Sequence, residues 1–251
     1  MKKKKKIPKR MLAIAALVDK SKVLADIGCD HAYISINLLE NKKAERVIAS
    51  DLRVGPLNIA KDNIKLAGFE DKIETRLCSG LEGFRPGEAD TILISGMGGM
   101  LVKEILSEGR EVVDAAEVLI LEPQSDLRVV RGYLKEIGYK ITDEDMLRES
   151  GKYYQIIKAV KNGASIPNPQ DIMSITENEF GPVLIKKKHP VLEEFLVKRK
   201  EHFEALLQDN KFLKSESAVN SNRILAIETE LRMIHEALNR FKTIKETRDE
   251  D

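Results

Sequence analysis

An acidic loop after a short apolar run is the first part of the chain whose residue types suggest binding chemistry. Residues 23–27 are mostly apolar and end at Gly28, which predicts a buried strand and a tight turn open to close ligand approach. A pyrophosphate-binding loop needs GxGxxG and a helix start without negative charge, whereas Asp30 lies where the next helix begins. The acids Asp26 and Asp30 instead favour the sulfonium and ammonium groups of S-adenosylmethionine.

A second acid, Asp51, closes the next apolar run, residues 47–50. An acid at this place can accept hydrogen bonds from both hydroxyls of a ribose. Aspartate also serves as a helix N-cap, and this alternative is favoured when Asp51 is considered by itself. Together with the first loop, the ribose role is favoured.

A glycine-rich turn, Ser95-Gly96-Met97-Gly98-Gly99, follows a third apolar run. Three glycines in four residues exceed the needs of a turn and leave backbone exposed for a flat ligand, while Met97 offers a soft apolar contact. A tight strand-to-helix connection is the alternative. Pro123 and Gln124 follow the next run and would face the same cleft, although Pro123 also suits a helix start.

Alternating strands and helices must position these loops. Periodicity and turn residues predict an α/β fold with a doubly wound, mostly parallel sheet and an antiparallel hairpin at its edge. The predicted strands are 23–27, 46–50, 72–77, 91–95, 118–121, 140–147 and 153–160, and the predicted helices are 11–18, 31–40, 56–67, 99–106 and 127–137. Ligands of such sheets bind beyond the carboxyl ends of the strands, where all three loops lie.

The rest of the chain differs in composition and in the spacing of its apolar residues. Residues 161–189 contain Asn-Gly, Ile-Pro and Asn-Pro and are predicted as a linker between a domain at 1–160 and a helical arm at 190–251. Two apolar stripes with heptad-like spacing, separated by residues 215–221, predict an antiparallel coiled-coil hairpin. The stripes pack on each other, and the charged outer faces are a candidate RNA surface.

Composition sets further limits. Apolar residues make up 42% of the 251 positions, enough for a sizeable core, and the net charge of +1 means that only local clusters, such as Lys2–Lys6, could attract nucleic acid. Cys29 and Cys78 are the only cysteines, which argues against disulfides or a zinc site and suits the cytoplasm. The sequence predicts no membrane span and favours a monomer.

With these residues assembled, the chain resembles the bacterial tRNA (adenine-22-N1)-methyltransferases. The resemblance rests on residues 25–33 (ADIGCDHAY), 90–99 (DTILISGMGG) and 149–154 (ESGKYY), and it extends over about residues 9–160. It implies a class I methyltransferase fold, S-adenosylmethionine as the methyl donor, and N1 of an adenine in tRNA as the acceptor. It also implies that Asp26, Gly28, Asp30 and His31 form the cofactor and active-site loop, with Asp51 at the ribose and residues 96–98 near the methionine end and the target base.

Two stretches depart from the family's pattern. Cys78-Ser79-Gly80-Leu81 stands where the family has Gly-Asp-Gly-Leu. Ser79 and Gly80 would lie at the cofactor's adenine, where the hydroxyl of Ser79 is a weaker hydrogen-bond acceptor than the aspartate of the family. Leu121-Glu122-Pro123-Gln124 replaces Leu-Gln-Pro-Asn, which bears on how the target base is held.

The loop residues also suggest the type of methyl transfer. Adenine N1 has an in-plane lone pair and needs no base, whereas enzymes that methylate exocyclic amines typically carry Asn/Asp-Pro-Pro-aromatic where this chain has Ser-Gly-Met-Gly-Gly. Asp30 is the candidate to stabilise the positive charge of the product, with helix capping as the alternative. His31 and Tyr33 are candidates to hydrogen-bond or stack on the base. Cys29 is interpreted as a packing residue.

Two other classes of function remain open on the sequence. One is a methyltransferase of a protein or a small molecule, and the other is a non-catalytic RNA-binding adaptor that keeps the fold. A nicotinamide oxidoreductase is disfavoured because the chain lacks GxGxxG after its first strand.

Overall fold

The structure is a computed structural model that describes residues 7–162, 174–208 and 218–242. The chain forms two compact units that divide at residue 168. The elements of the first unit, in chain order, are α1 (Lys9–Leu17), β1 (Ser21–Ile27), α2 (Tyr33–Glu40), β2 (Ala44–Asp51), α3 (Val54–Ala67), β3 (Ile73–Leu77), β4 (Thr91–Met97), α4 (Gly99–Glu108), α5 (Arg110–Ala115), β5 (Val118–Pro123), α6 (Leu127–Glu136), β6 (Tyr139–Glu149) and β7 (Lys152–Lys161).

The strands form one seven-stranded sheet in the order β3-β2-β1-β4-β5-β7-β6. Strands β1 to β5 pair in parallel, and β7 runs antiparallel to both β5 and β6. The chain winds from β1 outward to β3 and then returns to β4 on the other side of β1, so the strand order reverses between β1 and β4. This arrangement confirms the doubly wound sheet with an antiparallel edge hairpin, and it puts a ligand crevice beyond the ends of β1 and β4.

Helices cover both faces of the sheet because the central strands are apolar on both sides. Ile92 and Ile94 of β4 point to one face, and Leu93 between them points to the other. The first face packs against α4, α5 and α6 through Val102, Val113 and Leu134, and the second packs against α1, α2 and α3 through Ile14, Leu38 and Ile64. The sheet is therefore packed on both faces where its loops carry the site.

Three predicted helix starts differ from the structure, and the helix expected from residue 56 begins at Val54. The helix expected from residue 31 begins at Tyr33, because Asp30 and Ala32 both have left-handed backbones with φ of 51° and 57°. The helix expected from residue 11 begins at Lys9. The lysine run Lys2–Lys6 lies outside the described residues.

The second unit contains α7 (Ile175–Phe180), α8 (Pro182–Lys186), α9 (Pro190–Gln208) and α10 (Ala218–Lys242). The helices α7 and α8 correct the prediction of a plain linker over 161–189, of which residues 163–173 lie outside the described ranges. A capping box between Ser174 and Glu177 starts α7, and Phe180 and Leu184 are buried. The capping box and the buried side chains stabilise α7 and α8. The dipeptides Asn-Gly, Ile-Pro and Asn-Pro, which lie before these helices, had indicated only a linker.

The helices α9 and α10 pair in opposite directions. Lys188, just before α9, donates to the carbonyl of Phe241, whereas Arg199, further along α9, pairs with Glu230 of α10. As the residue number increases along α9, the residue number of its contact in α10 decreases, as in an antiparallel pair. Residues 209–217 and 243–251 of the predicted arm lie outside the described residues. Within the described ranges, none of the helices combines the length and apolar composition that a membrane span needs.

Candidate active site

A cleft of about 420 Å³ opens at the carboxyl ends of β1, β2 and β4. Its volume is in the range of small-molecule and cofactor sites. The cleft brings together most of the residues that the sequence singled out: Asp26, Gly28, Asp30, Tyr33, Asp51, Ser79, Gly80, Gly96, Met97 and Gln124 line it. His31, Gly98 and Pro123 are not among the lining residues.

Gly28 lets the backbone after β1 pass directly against the glycine-rich turn. Its φ is +71°, and a Cβ at this position would lie 2.2 Å from Cε of Met97. Any side chain here would therefore displace Met97 from the cleft wall, besides straining the backbone.

Asp26 is a buried acid at the end of β1. The hydroxyl of Ser35 donates to its Oδ2 at 2.5 Å. Burial raises the pKa of Asp26 to about 6, with a further rise from the charge of Asp51 and an opposing effect of the Ser35 hydrogen bond. A cation in the cleft would favour the ionised form of this carboxyl.

Asp30 is half exposed and does not cap the helix that follows. The N-cap of α2 is Ala32, and no side chain accepts a hydrogen bond there, so the capping alternative is wrong for Asp30. Its carboxylate instead lies 3.7 Å from Nη2 of Arg53 and 3.5 Å from Nε2 of His31. Asp30 thus presents negative charge to the cleft.

Asp51 is buried at the end of β2 and is held by two backbone amides. Its Oδ2 accepts from the amide of Asp30 at 3.2 Å, and its Oδ1 accepts from the amide of Arg53 at 2.8 Å. The N-cap of α3 is Arg53 itself and has no side-chain cap, so Asp51 is not that helix's N-cap. Each carboxylate oxygen keeps a further lone pair for a ligand hydroxyl.

His31 and Tyr33 stand beside Asp30 but differ in access to the cleft. Their rings meet edge to face, with centroids 5.9 Å apart. Tyr33 lines the cleft. His31 does not line it, and its buried Nδ1 has no hydrogen-bond partner among the described residues.

The glycine-rich turn after β4 is attached to the loop after β5. The amide of Gly96, whose φ is +78°, donates to Oε2 of Glu122 at 2.8 Å, and the amide of Gln124 donates to the carbonyl of Met97 at 2.8 Å. The hydroxyl of Ser125 accepts from the amide of Gly99 at 3.3 Å. These three hydrogen bonds join the glycine-rich turn to the loop after β5.

The two cysteines, Cys29 and Cys78, both line the cleft, and Cys29 lacks the features of a nucleophile. Cys29 is buried, and burial followed by the charges of Asp26, Asp51 and Asp30 raises the pKa of its thiol. The thiolate is therefore strongly disfavoured, which supports the interpretation of Cys29 as a packing residue.

The chain matches known methyltransferases in sequence. Residues 7–157 match the model of a methyltransferase domain family. A tRNA (adenine(22)-N(1))-methyltransferase of Bacillus subtilis is 33% identical over 204 residues, which cover 81% of this chain and 85% of the relative. The chain belongs to the tRNA (adenine(22)-N(1))-methyltransferase family.

Solved structures of similar chains agree with this methyltransferase assignment. The Bacillus subtilis M1A22 tRNA methyltransferase TrmK superposes with a TM-score of 0.81 at 29% identity, over 93% of this chain and 99% of that one. Streptococcus pneumoniae Sp1610 in complex with S-adenosyl-L-methionine superposes with a TM-score of 0.75 at 32% identity, over 90% of this chain and all of that one (100%). Both comparisons extend over the methyltransferase domain and the helical unit.

Several lining residues of this methyltransferase were missed by the sequence analysis. Arg10 comes from α1, Leu52 and Arg53 from the loop after β2, and Leu101 from α4. Leu52 and Leu101 are exposed hydrophobic side chains, and the position of Leu52 directly after Asp51 is a signal that would have found it. Nothing local identifies Arg10, because its place at the cleft depends on how α1 packs.

Proposed function

We propose that the chain transfers a methyl group from S-adenosylmethionine to N1 of an adenine in tRNA, at position 22 as the name of the Bacillus relative states. One observation carries the proposal for this chain. Three carboxylates, Asp26, Asp30 and Asp51, converge on one cleft at the strand-order reversal of a methyltransferase fold. Such a cleft suits a cationic ligand that also carries a ribose.

The donor set fits S-adenosylmethionine, which supplies an electrophilic methyl group on its sulfonium. Asp51 would accept from the ribose hydroxyls through the lone pairs that the amides of Asp30 and Arg53 leave free. Asp26 would attract the ammonium, and Gly28 permits close passage of the methionine part. Ser79, Gly80 and the exposed Leu52 line the same cleft on the side of β2, where the adenine of the donor would lie.

The target adenine would enter beside the glycine-rich turn. Its N1 lone pair attacks without prior proton removal, so positioning of the base is the main task of the protein. Met97 and Gln124 line this side of the cleft, with Gly98 and Pro123 next to them in the chain, and Tyr33 offers a ring for stacking. Asp30 would stabilise the positive charge that the base gains, and His31 would orient Asp30.

The partners of the protein follow from this reaction. We expect tRNA as the macromolecular substrate, a location in the cytoplasm, where tRNA is modified, and a monomer as the working form. A single cleft within the first unit already holds the residues to which we assign the donor and the base.

Methyl transfer from labelled S-adenosylmethionine to an unmodified tRNA transcript tests the proposal. Mass spectrometry of the nucleosides should detect 1-methyladenosine, and a transcript that carries guanine at position 22 should lose the product. A protein that binds the donor but methylates no tRNA would contradict the RNA target and favour a protein or small-molecule acceptor. A protein that does not bind the donor would favour the non-catalytic adaptor.

A further inference from the structure

Glu122 is a buried acid at the end of β5, beside the cleft. Its side chain is 0% exposed. Oε2 accepts from the amide of Gly96 at 2.8 Å and lies 3.4 Å from Nη1 of Arg10. Oε1 is also buried and has no hydrogen-bond partner among the described residues. One carboxylate oxygen thus joins the glycine-rich turn to the first helix.

Arg10 extends this connection to the edge hairpin. Its guanidinium lies over the ring of Tyr154 in β7, 5.1 Å from the centroid, and the same side chain lines the cleft. Glu122 and Tyr154 therefore hold Arg10 between them, on the side of the cleft where Gly96 and Gln124 lie. This is the side to which we assign the target base.

The surroundings of Glu122 supply little compensation for its charge. Arg10 of α1 is the charged group that acts on it, β4 contributes only the Gly96 amide, and the titratable group from β7 is the Tyr154 phenol, reached through Arg10. Burial raises the pKa of Glu122 to about 7, although Arg10 and the Gly96 amide both oppose the rise. Glu122 therefore changes its charge within the working pH range of most enzymes.

We propose that Glu122 is a positioning residue for methyl transfer, whose ionised carboxylate fixes the Gly96 amide and balances the Arg10 cation at the target-base side of the cleft. The inference rests on the proposed function. Methyl transfer to N1 leaves a positive charge on the base, and an unbalanced Arg10 beside it would oppose that charge. A neutral Glu122 also loosens its hold on Arg10, which then no longer shapes the cleft.

The first test is the pH dependence of kcat with saturating S-adenosylmethionine and an unmodified tRNA transcript. The wild-type kcat should rise as pH increases through about 7. Glu122→Gln should lack this rise and should be slower than wild type at pH 8 by about tenfold, less than the loss of a group that contacts the reacting atoms. Glu45→Gln, a matched change of an exposed glutamate, should keep the wild-type profile.

A second variant separates positioning from a simple structural role. Arg10→Gln removes the cation that lowers the pKa of Glu122, so the rise in kcat should move to higher pH, by about one unit. Asp26 titrates as well, but its ionisation should act on the KM for the donor, and saturating S-adenosylmethionine removes this effect from kcat.

Thermal unfolding gives a readout independent of activity. The folded-state pKa of Glu122 lies above its ordinary value of 4.5, so folding stability falls as pH rises from about 4.5 to about 7 and levels off at higher pH. Glu122→Gln should therefore melt at a higher temperature than wild type at pH 8, and this advantage should shrink at pH 5.5. A residue that is only structural would instead lose melting temperature and activity together.

Two outcomes would overturn the inference. One is a Glu122→Gln variant that keeps the wild-type rise in kcat near pH 7, and the other is a variant that equals wild type in kcat at pH 8. A wild-type protein without any transfer to tRNA would instead overturn the proposed function itself, and the inference with it.

Discussion

At the residue scale, the cleft depends on an aspartate held in a conformation that most residues avoid. Asp30 has a φ of 51° and a half-exposed carboxylate that faces Arg53 and His31. Aspartate and asparagine tolerate this left-handed backbone better than other non-glycine residues. The backbone therefore restricts the residue type, while the carboxylate supplies the charge.

Asp30→Asn isolates that charge because asparagine keeps the backbone conformation. If Asp30 stabilises the product cation, kcat should fall by on the order of tenfold to a hundredfold, with the donor's Kd changed only a few-fold. Steady-state kinetics and calorimetry with S-adenosylmethionine measure the two effects. Asp126→Asn is the matched control, since Asp126 has the same left-handed backbone at φ 52° but does not line the cleft. Equal losses in kcat and donor affinity would contradict the role.

At the element scale, a buried polar cluster attaches α6 to the edge hairpin. Arg131 of α6 is 0% exposed and donates to Glu144 of β6 at 2.9 Å and to Gln155 of β7 at 2.6 Å. Buried ion pairs add little net stability compared with apolar residues, but the loss of one partner leaves an uncompensated charge. The cluster thus makes the position of the hairpin dependent on α6.

Arg131→Met should destabilise the protein because it leaves Glu144 buried without its cation. The expected loss is about 3–5 kcal/mol in the free energy of unfolding, or on the order of 10 °C in Tm for a protein of this size. Thermal and urea unfolding measure it. The double variant Arg131→Met with Glu144→Met should recover much of the loss. A double variant as unstable as the single one would show that the ion pair is not the cause.

At the scale of the whole molecule, the helical unit is balanced in charge rather than basic. Lys198 pairs with Glu194 at 2.6 Å, Lys200 with Glu204 at 3.6 Å, and Arg199 with Glu230. Paired cations present less positive potential to phosphate than free ones. The charged faces of α9 are therefore a weaker RNA surface than the count of lysines and arginines in the sequence indicates.

The salt dependence of tRNA binding tests this assignment. Lys198→Gln with Lys200→Gln should leave the slope of log Kd against log salt concentration nearly unchanged, whereas a lysine in contact with phosphate contributes about one unit. Replacement of Lys2–Lys6, a run of five lysines without an acid, should lower the slope more. A fall of about two units in the double variant would instead put the phosphate contacts on α9.

Local sequence patterns were sufficient to predict most elements and the main motif residues. The strands of the first unit and all of its helices except α5 follow from apolar periodicity and glycine stops. Asp26, Gly28, Asp51 and Met97 meet in the cleft because parallel strands end at one edge. The antiparallel hairpin at the sheet edge was also predicted, because a short turn joins its two strands, whereas only the structure gave the order of the strands. The roles assigned to these residues remain predictions.

Contacts between distant parts of the chain decided the rest. The pairing of Arg10 with Glu122, the left-handed turn that delays α2 to Tyr33, and the burial of Phe180 that stabilises α7 all depend on tertiary packing. The sequence alone determined the fold class, the acids at the strand ends and the glycine-rich turn, because periodicity and turn chemistry act over a few residues. Only the tertiary structure decided which charges are buried, and with which partner, because desolvation depends on neighbours more than a hundred positions away.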